Sequence, residues 1–141
     1  MKSGVIPSQG IRNLIANKEI SSHDGLKADQ IQPSSLDLRL SNKAWRMRAS
    51  FLPGKNRSIE SQLKNYSMQE IDLSEGSVLE KGCVYLVLLK ESLNLSKNIE
   101  ALANAKSSTG RLDLFTRLIV DCSVEFDRVS GGYKGPLYAE I

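Results

Sequence analysis

The chain has little of what most catalytic scaffolds display. Its 141 residues contain one histidine and two cysteines, with 6% aromatic residues. His23 stands in a His23-Asp24-Gly25 turn, the place of a surface residue rather than a general base. No apolar run approaches the roughly 20 residues needed to cross a bilayer, so no membrane partner is expected. The opening MKSGVIPSQG lacks the continuous apolar stretch of a secretion signal. A cytoplasmic protein is therefore expected, with Cys83 and Cys122 reduced and Cys83, inside CVYLVLL, a small buried thiol. A formal charge of +3, from 19 basic and 16 acidic residues, is too slight to argue for nucleic acid. The alternation of Arg46 and Arg48 with Trp45 and Met47 reads as one solvated face of a strand. A Walker loop, internal repeats, low-complexity tracts and linkers are all absent.

What is present has the size of a single domain and a pattern of short strands. Ile11, Leu14 and Ile15 share one face of a short helix with Ser8 as its N-cap, the one sizeable helix expected. Leu36, Leu38 and Leu40 alternate with polar residues in a half-buried strand that places Asp37 and Arg39 together on the opposite face. Residues 44–49 alternate again, and 51–70 read as a long loop, followed by a short strand around Ile71 and Leu73. Cys83 to Leu89 is apolar on both faces, the signature of a central, doubly buried strand, and 92–98 reads as loop. Strand signals every 10 to 15 residues with almost no helical period predict an all-β sandwich or barrel.

One stretch concentrates chemistry. In ALANAKSSTGR, Lys106 and Arg111 offer a point charge and a bidentate fork, and Ser107, Ser108 and Thr109 offer hydroxyl donors. Free backbone N–H groups add to these, and Gly110 allows close approach of a ligand. The combination suits a phosphate ester, and a solvated polar loop is the alternative reading. Beyond it a short helical turn precedes a strand from Leu118, and the tight loop Gly131-Gly132-Tyr133-Lys134-Gly135-Pro136 leads into Leu137-Tyr138-Ala139-Glu140-Ile141. That last alternation stops in mid-strand, so residues 1–141 are expected to be one module truncated at its C-terminal end.

Taken in order, QPSSLDLRL, KSSTGR, GGYKG and LYAEI resemble the motifs of the dCTP deaminases, relatives of the trimeric dUTPases, over almost the whole length. The resemblance implies a distorted jelly-roll or β-clip fold of the dUTPase-like type with a short N-terminal helix. It also implies a homotrimer or pseudo-trimer with sites between subunits, and dCTP bound with Mg2+. Lys106, Ser107, Ser108, Thr109, Gly110 and Arg111 fall on the triphosphate turn. Glu140 falls on the catalytic glutamate, and Tyr133, Tyr138 and Ala139 join the substrate site. Ser130 stands where many relatives carry Asp, the residue that in dUTPases activates the hydrolytic water, and this weighs against pyrophosphate hydrolysis.

Loss of the 4-amino group requires water to attack C4 while protons reach N3 and the departing ammonia, work that one carboxyl can do by cycling between base and acid. The HxE and PCxxC signatures of zinc deaminases are absent, so no zinc is expected. Conversion of dCTP to dUTP and ammonia is the leading expectation, with the isolated 141 residues inactive. A dUTP diphosphatase or bifunctional deaminase–hydrolase, and a non-catalytic nucleotide-binding module, are the alternatives.

Overall fold

The computed structural model describes residues 3–141. Helix α1 (Ser8–Ala16) turns Ile11 fully inward and Leu14 and Ile15 partly so, as the three–four spacing predicts. Its cap is Pro7 rather than Ser8. Pro7 is extended (φ −75°, ψ 170°) and its carbonyl accepts the first helical bond, from Ile11 N–H at 3.0 Å, while Ser8 lies inside the helix and its hydroxyl turns to Gln9.

The strands are β1 (Ile20–Ser22), β2 (Leu40–Met47), β3 (Ser67–Asp72), β4 (Val84–Asn94), β5 (Ala101–Leu102), β6 (Arg117–Val120), β7 (Arg128–Val129) and β8 (Lys134–Glu140). Six form an antiparallel sheet in the order β3-β2-β4-β8-β6, with β1 pairing the far end of β4, and β5 and β7 make a separate two-stranded ladder. The all-β expectation holds. β4 is the hub, contacting β1, β2 and β8, and its apolar run is buried on both faces as its sequence requires.

Two cores result. Trp45, Met47, Leu86, Ile119 and Tyr138 pack with Ile59 and Leu63 on one face, and Leu89, Leu118, Val120, Leu137 and Ala139 pack with Leu95 and Val129 on the other. β8 supplies side chains alternately to the two, Tyr138 to the first and Leu137 and Ala139 to the second.

Several expectations need correction. A second helix, α2 (Ile59–Tyr66), occupies the stretch read as loop: Ser58 Oγ accepts Ser61 N–H at 3.2 Å, and Ile59 and Leu63, four apart, are its only buried side chains. Of the strand read at 36–40, Leu36 pairs in an isolated bridge with Ile31 and Leu40 opens β2 opposite Leu89, with nothing regular between them. Residues 37–39 leave the ladder because their neighbours are not regular strand: Asp37 N–H donates to Gln30 O, and Arg39 N–H to the Glu91 side chain. β2 consequently starts at Leu40 and ends at Met47, β3 begins at Ser67, and β4 runs on through Asn94 into the stretch read as loop. Cys83 is half-buried, not buried: it stands at the turn before β4, where Arg46 Nη2 reaches its Sγ at 3.1 Å.

Candidate active site

Glu140 closes the β8 ladder between Leu86 on β4 and Arg117 on β6. It is 7% exposed, on the strand face it shares with Tyr138 and the first core. Ser50 Oγ donates to Glu140 Oε1 at 2.9 Å, and Arg117 Nε stands 3.8 Å from the same oxygen. The Arg117 guanidinium lies 4.4 Å from the ring centroid of Phe126 and 5.7 Å from that of Phe115, flanked by aromatic faces. Tyr138 is buried beside Trp45, ring centroids 6.4 Å apart, and that burial pushes its phenol up to about 12.

The polar turn is a short helix, α3 (Ser107–Arg111), its residues exposed except for half-buried Thr109. Two of the backbone donors expected to be free are not: the N–H groups of Thr109 and Gly110 both point to Lys106 O, at 2.9 and 3.2 Å. A Cβ at Gly110 would meet nothing of this chain, so the backbone there is open to an approaching ligand. Lys106 Nζ is paired with Asp37 Oδ2 at 2.6 Å, and the same oxygen accepts from Gln32 Nε2 at 3.2 Å. A shallow depression lined by Ala105, Gly110, Asp113, Leu114, Phe115 and Thr116 leads from α3 toward β6, one residue short of Arg117. No hydrogen bond or ion pair joins Glu140 to residues 106–111 among the described residues.

Tyr133 and Ala139 face the second core, on the side of β8 away from Glu140. The Tyr133 hydroxyl donates to Pro136 O at 2.6 Å and accepts Asp121 N–H at 3.3 Å, which braces the loop into β8, and burial raises its phenol pKa. That loop needs its glycines: a Cβ on Gly131 would collide with the Lys97 carbonyl oxygen, and Gly132 has φ +78°. Sequence reasoning missed Ser50 and Arg117 as companions of Glu140 and Asp37 as the partner of Lys106. For Arg117 there was a signal, a cation interrupting an apolar run two residues before Ile119. Ser50 gave none.

The sequence model of the 2'-deoxycytidine 5'-triphosphate deaminase N-terminal domain matches residues 2–141. The chain belongs to that family. It is 34% identical over 113 residues to a "dCTP deaminase, dUMP-forming" of Persephonella marina, covering 79% of this chain and 60% of that protein. It is 31% identical over 109 residues to a protein of the same name from Clostridium botulinum, covering 72% of this chain and 58% of the relative. The crystal structure of 2'-deoxycytidine 5'-triphosphate deaminase from Agrobacterium tumefaciens superposes with a TM-score of 0.96 at 50% identity, over 99% of this chain and 42% of that one. The chain thus spans about 60% of the length of the curated deaminases and less than half of the solved one. At 50% identity the fold of the deaminase family carries over to this chain.

Proposed function

We propose that this chain is the nucleotide-handling module of a dCTP deaminase, which hydrolyses the C4–N bond of the cytosine ring to give dUTP and ammonia. The observation that carries the reading is Glu140: a carboxylate on an otherwise apolar strand face, held by a hydroxyl and approached by a guanidinium, in the LYAEI run whose resemblance to the family motif suggests the catalytic glutamate. In this reading Glu140 takes a proton from water as the water's oxygen attacks C4. It passes that proton to N3 and a second one to the departing amine, so that water and dCTP leave as ammonia and dUTP. Lys106, the hydroxyls of Ser107, Ser108 and Thr109, and Arg111 receive the triphosphate, with Lys106 exchanging Asp37 for a phosphate oxygen. Among the described residues no three His, Cys, Asp or Glu side chains group closely enough to hold a metal ion. Magnesium in this scheme arrives on the phosphates, which suit a hard cation. Assembly as a homotrimer or pseudo-trimer belongs to the same proposal, as does a cytoplasmic setting. Among the described residues, no helix is long and apolar enough to cross a membrane.

A second reading follows from the relatives' names. Both curated deaminases cited above are dUMP-forming, which requires a diphosphate to be lost as well as ammonia. Ser130 in place of a water-activating Asp favours the dUTP-forming reading for this module. The test follows ammonia and pyrophosphate together from dCTP, using the full-length protein with magnesium. Ammonia without pyrophosphate supports dUTP formation, and both in equal amounts support the second reading. Glu140→Gln is expected to cut ammonia release by a factor of about 10² or more with dCTP affinity retained. Nucleotide binding with no turnover by the wild type would leave a non-catalytic module.

A further inference from the structure

Resting on the reading of Glu140 as the proton carrier, we propose that Ser50 and Arg117 are positioning residues that fix the carboxylate by Oε1 and thereby make Oε2 the oxygen that exchanges protons with substrate. Both contacts fall on one oxygen, Ser50 Oγ at 2.9 Å and Arg117 Nε at 3.8 Å. Oε2 has no hydrogen-bond partner among the described residues. Yet none of their fully buried side-chain nitrogens or oxygens lacks a partner. Oε2 therefore keeps contact with solvent although the residue as a whole is only 7% exposed. The two oxygens of one carboxylate are thus made unequal, one anchored by Ser50 and Arg117 and one left open to solvent.

The anchors come from distant parts of the chain and are themselves held. Arg117 is the direct ladder partner of Glu140, and its guanidinium lies over the rings of Phe126 and Phe115. Ser50 follows β2, 90 residues earlier in the chain, and precedes Phe51, which stacks on Tyr66 at the end of α2 with centroids 5.0 Å apart. Pro53, just beyond, is buried. Rotating the carboxyl group about its terminal bond would break the Ser50 bond and turn Oε1 away from Arg117. The anchor suits both halves of a proton cycle: Ser50 O–H donates to Oε1 when Glu140 is a carboxylate. It still donates to the carbonyl oxygen when Oε2 carries the proton. The well-aligned acceptor on Oε2 is what a near-attack geometry requires.

The test uses the full-length protein and ammonia release from dCTP. Ser50→Ala is expected to lower kcat about tenfold with KM for dCTP within about twofold, and Ser50→Thr, which keeps the hydroxyl, to restore most of the loss. Arg117→Gln is expected to lower kcat in the same way. In a Glu140→Gln background neither substitution should lower kcat further, because both act through the group already removed. Wild-type kcat in Ser50→Ala, or a loss that persists undiminished in the Glu140→Gln background, overturns the positioning role while leaving deamination standing. A wild-type protein that releases no ammonia overturns the functional reading and this inference with it.

Discussion

Replacing Glu91 by alanine is expected to lower folding stability by about 4 kcal/mol. The Glu91 side chain is fully buried on β4. Its Oε1 accepts from Arg39 Nε at 2.8 Å and Gln30 Nε2 at 2.9 Å, and its Oε2 accepts the backbone N–H of Arg39 at 2.8 Å. Removing one partner of a buried ion pair costs about 3–5 kcal/mol, and each buried donor left without an acceptor about 1–3 kcal/mol. Two features decide where in that range the site falls. Arg39 keeps Gly25 O at 2.7 Å, Ser22 Oγ at 3.0 Å and Asp24 at 3.2 Å, and its side chain is 19% exposed, so its charge is not stranded. The Glu91 bond is nonetheless the first cause that raises the Arg39 pKa, against burial. Gln30, 4% exposed, keeps Asp37 O at 2.8 Å for one amide hydrogen but loses the acceptor of the other, and the Arg39 N–H loses its side-chain acceptor, which holds the total near the middle.

The assay is urea unfolding. With a slope of about 2 kcal/mol/M, a loss of that size moves the midpoint down by roughly 2 M at unchanged slope. Glu91→Gln is the sharper variant because it keeps the volume but offers only one acceptor oxygen, so its amide nitrogen meets a donor whichever way it turns. A loss of about 2–3 kcal/mol is expected for it. If Glu91→Gln unfolds within about 0.5 kcal/mol of wild type, the three donors are satisfied some other way and the reasoning fails.

Two further outcomes follow from the caps and carboxylates. Ser58→Ala removes the acceptor for Ser61 N–H at the start of α2 and is expected to cost about 1 kcal/mol, a fall of roughly 2–4 °C in melting temperature; an unchanged melt would show that Ile59 and Leu63 alone hold the helix. Ser96 donates its O–H at 2.6 Å and its N–H at 2.9 Å to Glu19, holding that carboxyl below its ordinary 4.5. A pKa lowered by folding contributes stability that is complete above 4.5 and lost as pH falls below it, so Glu19→Gln should flatten the acid side of a melting-temperature profile, and an unaltered slope there would count against the bond.

What the sequence disclosed was whatever depends on neighbours in the chain. The β4 run had to be a doubly covered strand, because seven apolar residues in succession leave no face for water. α1 followed from three side chains at helical spacing. α2 was hidden because Ile59 and Leu63 are its only buried residues in eight, and a two-point pattern cannot be told from coincidence until Ser58 is seen to cap it. The polar turn was visible as a cluster, but its pairing with Asp37, 69 residues away, was not. Alternation put Asp37 and Arg39 on one face of a strand that does not form at 37–39, and nothing local says that one meets Lys106 and the other Glu91. Glu140 is the extreme case: the family resemblance singled it out, while the hydroxyl that holds it lies 90 residues upstream in an unpatterned stretch.

The placement of β8 also limits what its residues can offer a nucleotide. Tyr138 and Ala139 are paired on both sides, to Leu88 and Val87 on β4 and to Ile119 and Leu118 on β6, so the strand on which they sit has no open edge. Their side chains are 5% exposed and belong to the two cores. Neither backbone nor side chain is presented outward, and the same packing keeps the strand from shifting along its register, since a slip by one residue would exchange Tyr138 and Ala139 between cores of different shape. Glu140 inherits that rigidity. Backbone bonds between Ile141 and Tyr85 carry the pairing one residue past it, and its polar end is left free of the apolar packing. Residues 138 and 139 therefore fix where Glu140 stands, with its backbone set by two ladders and its carboxylate bonded to Ser50 and approached by Arg117.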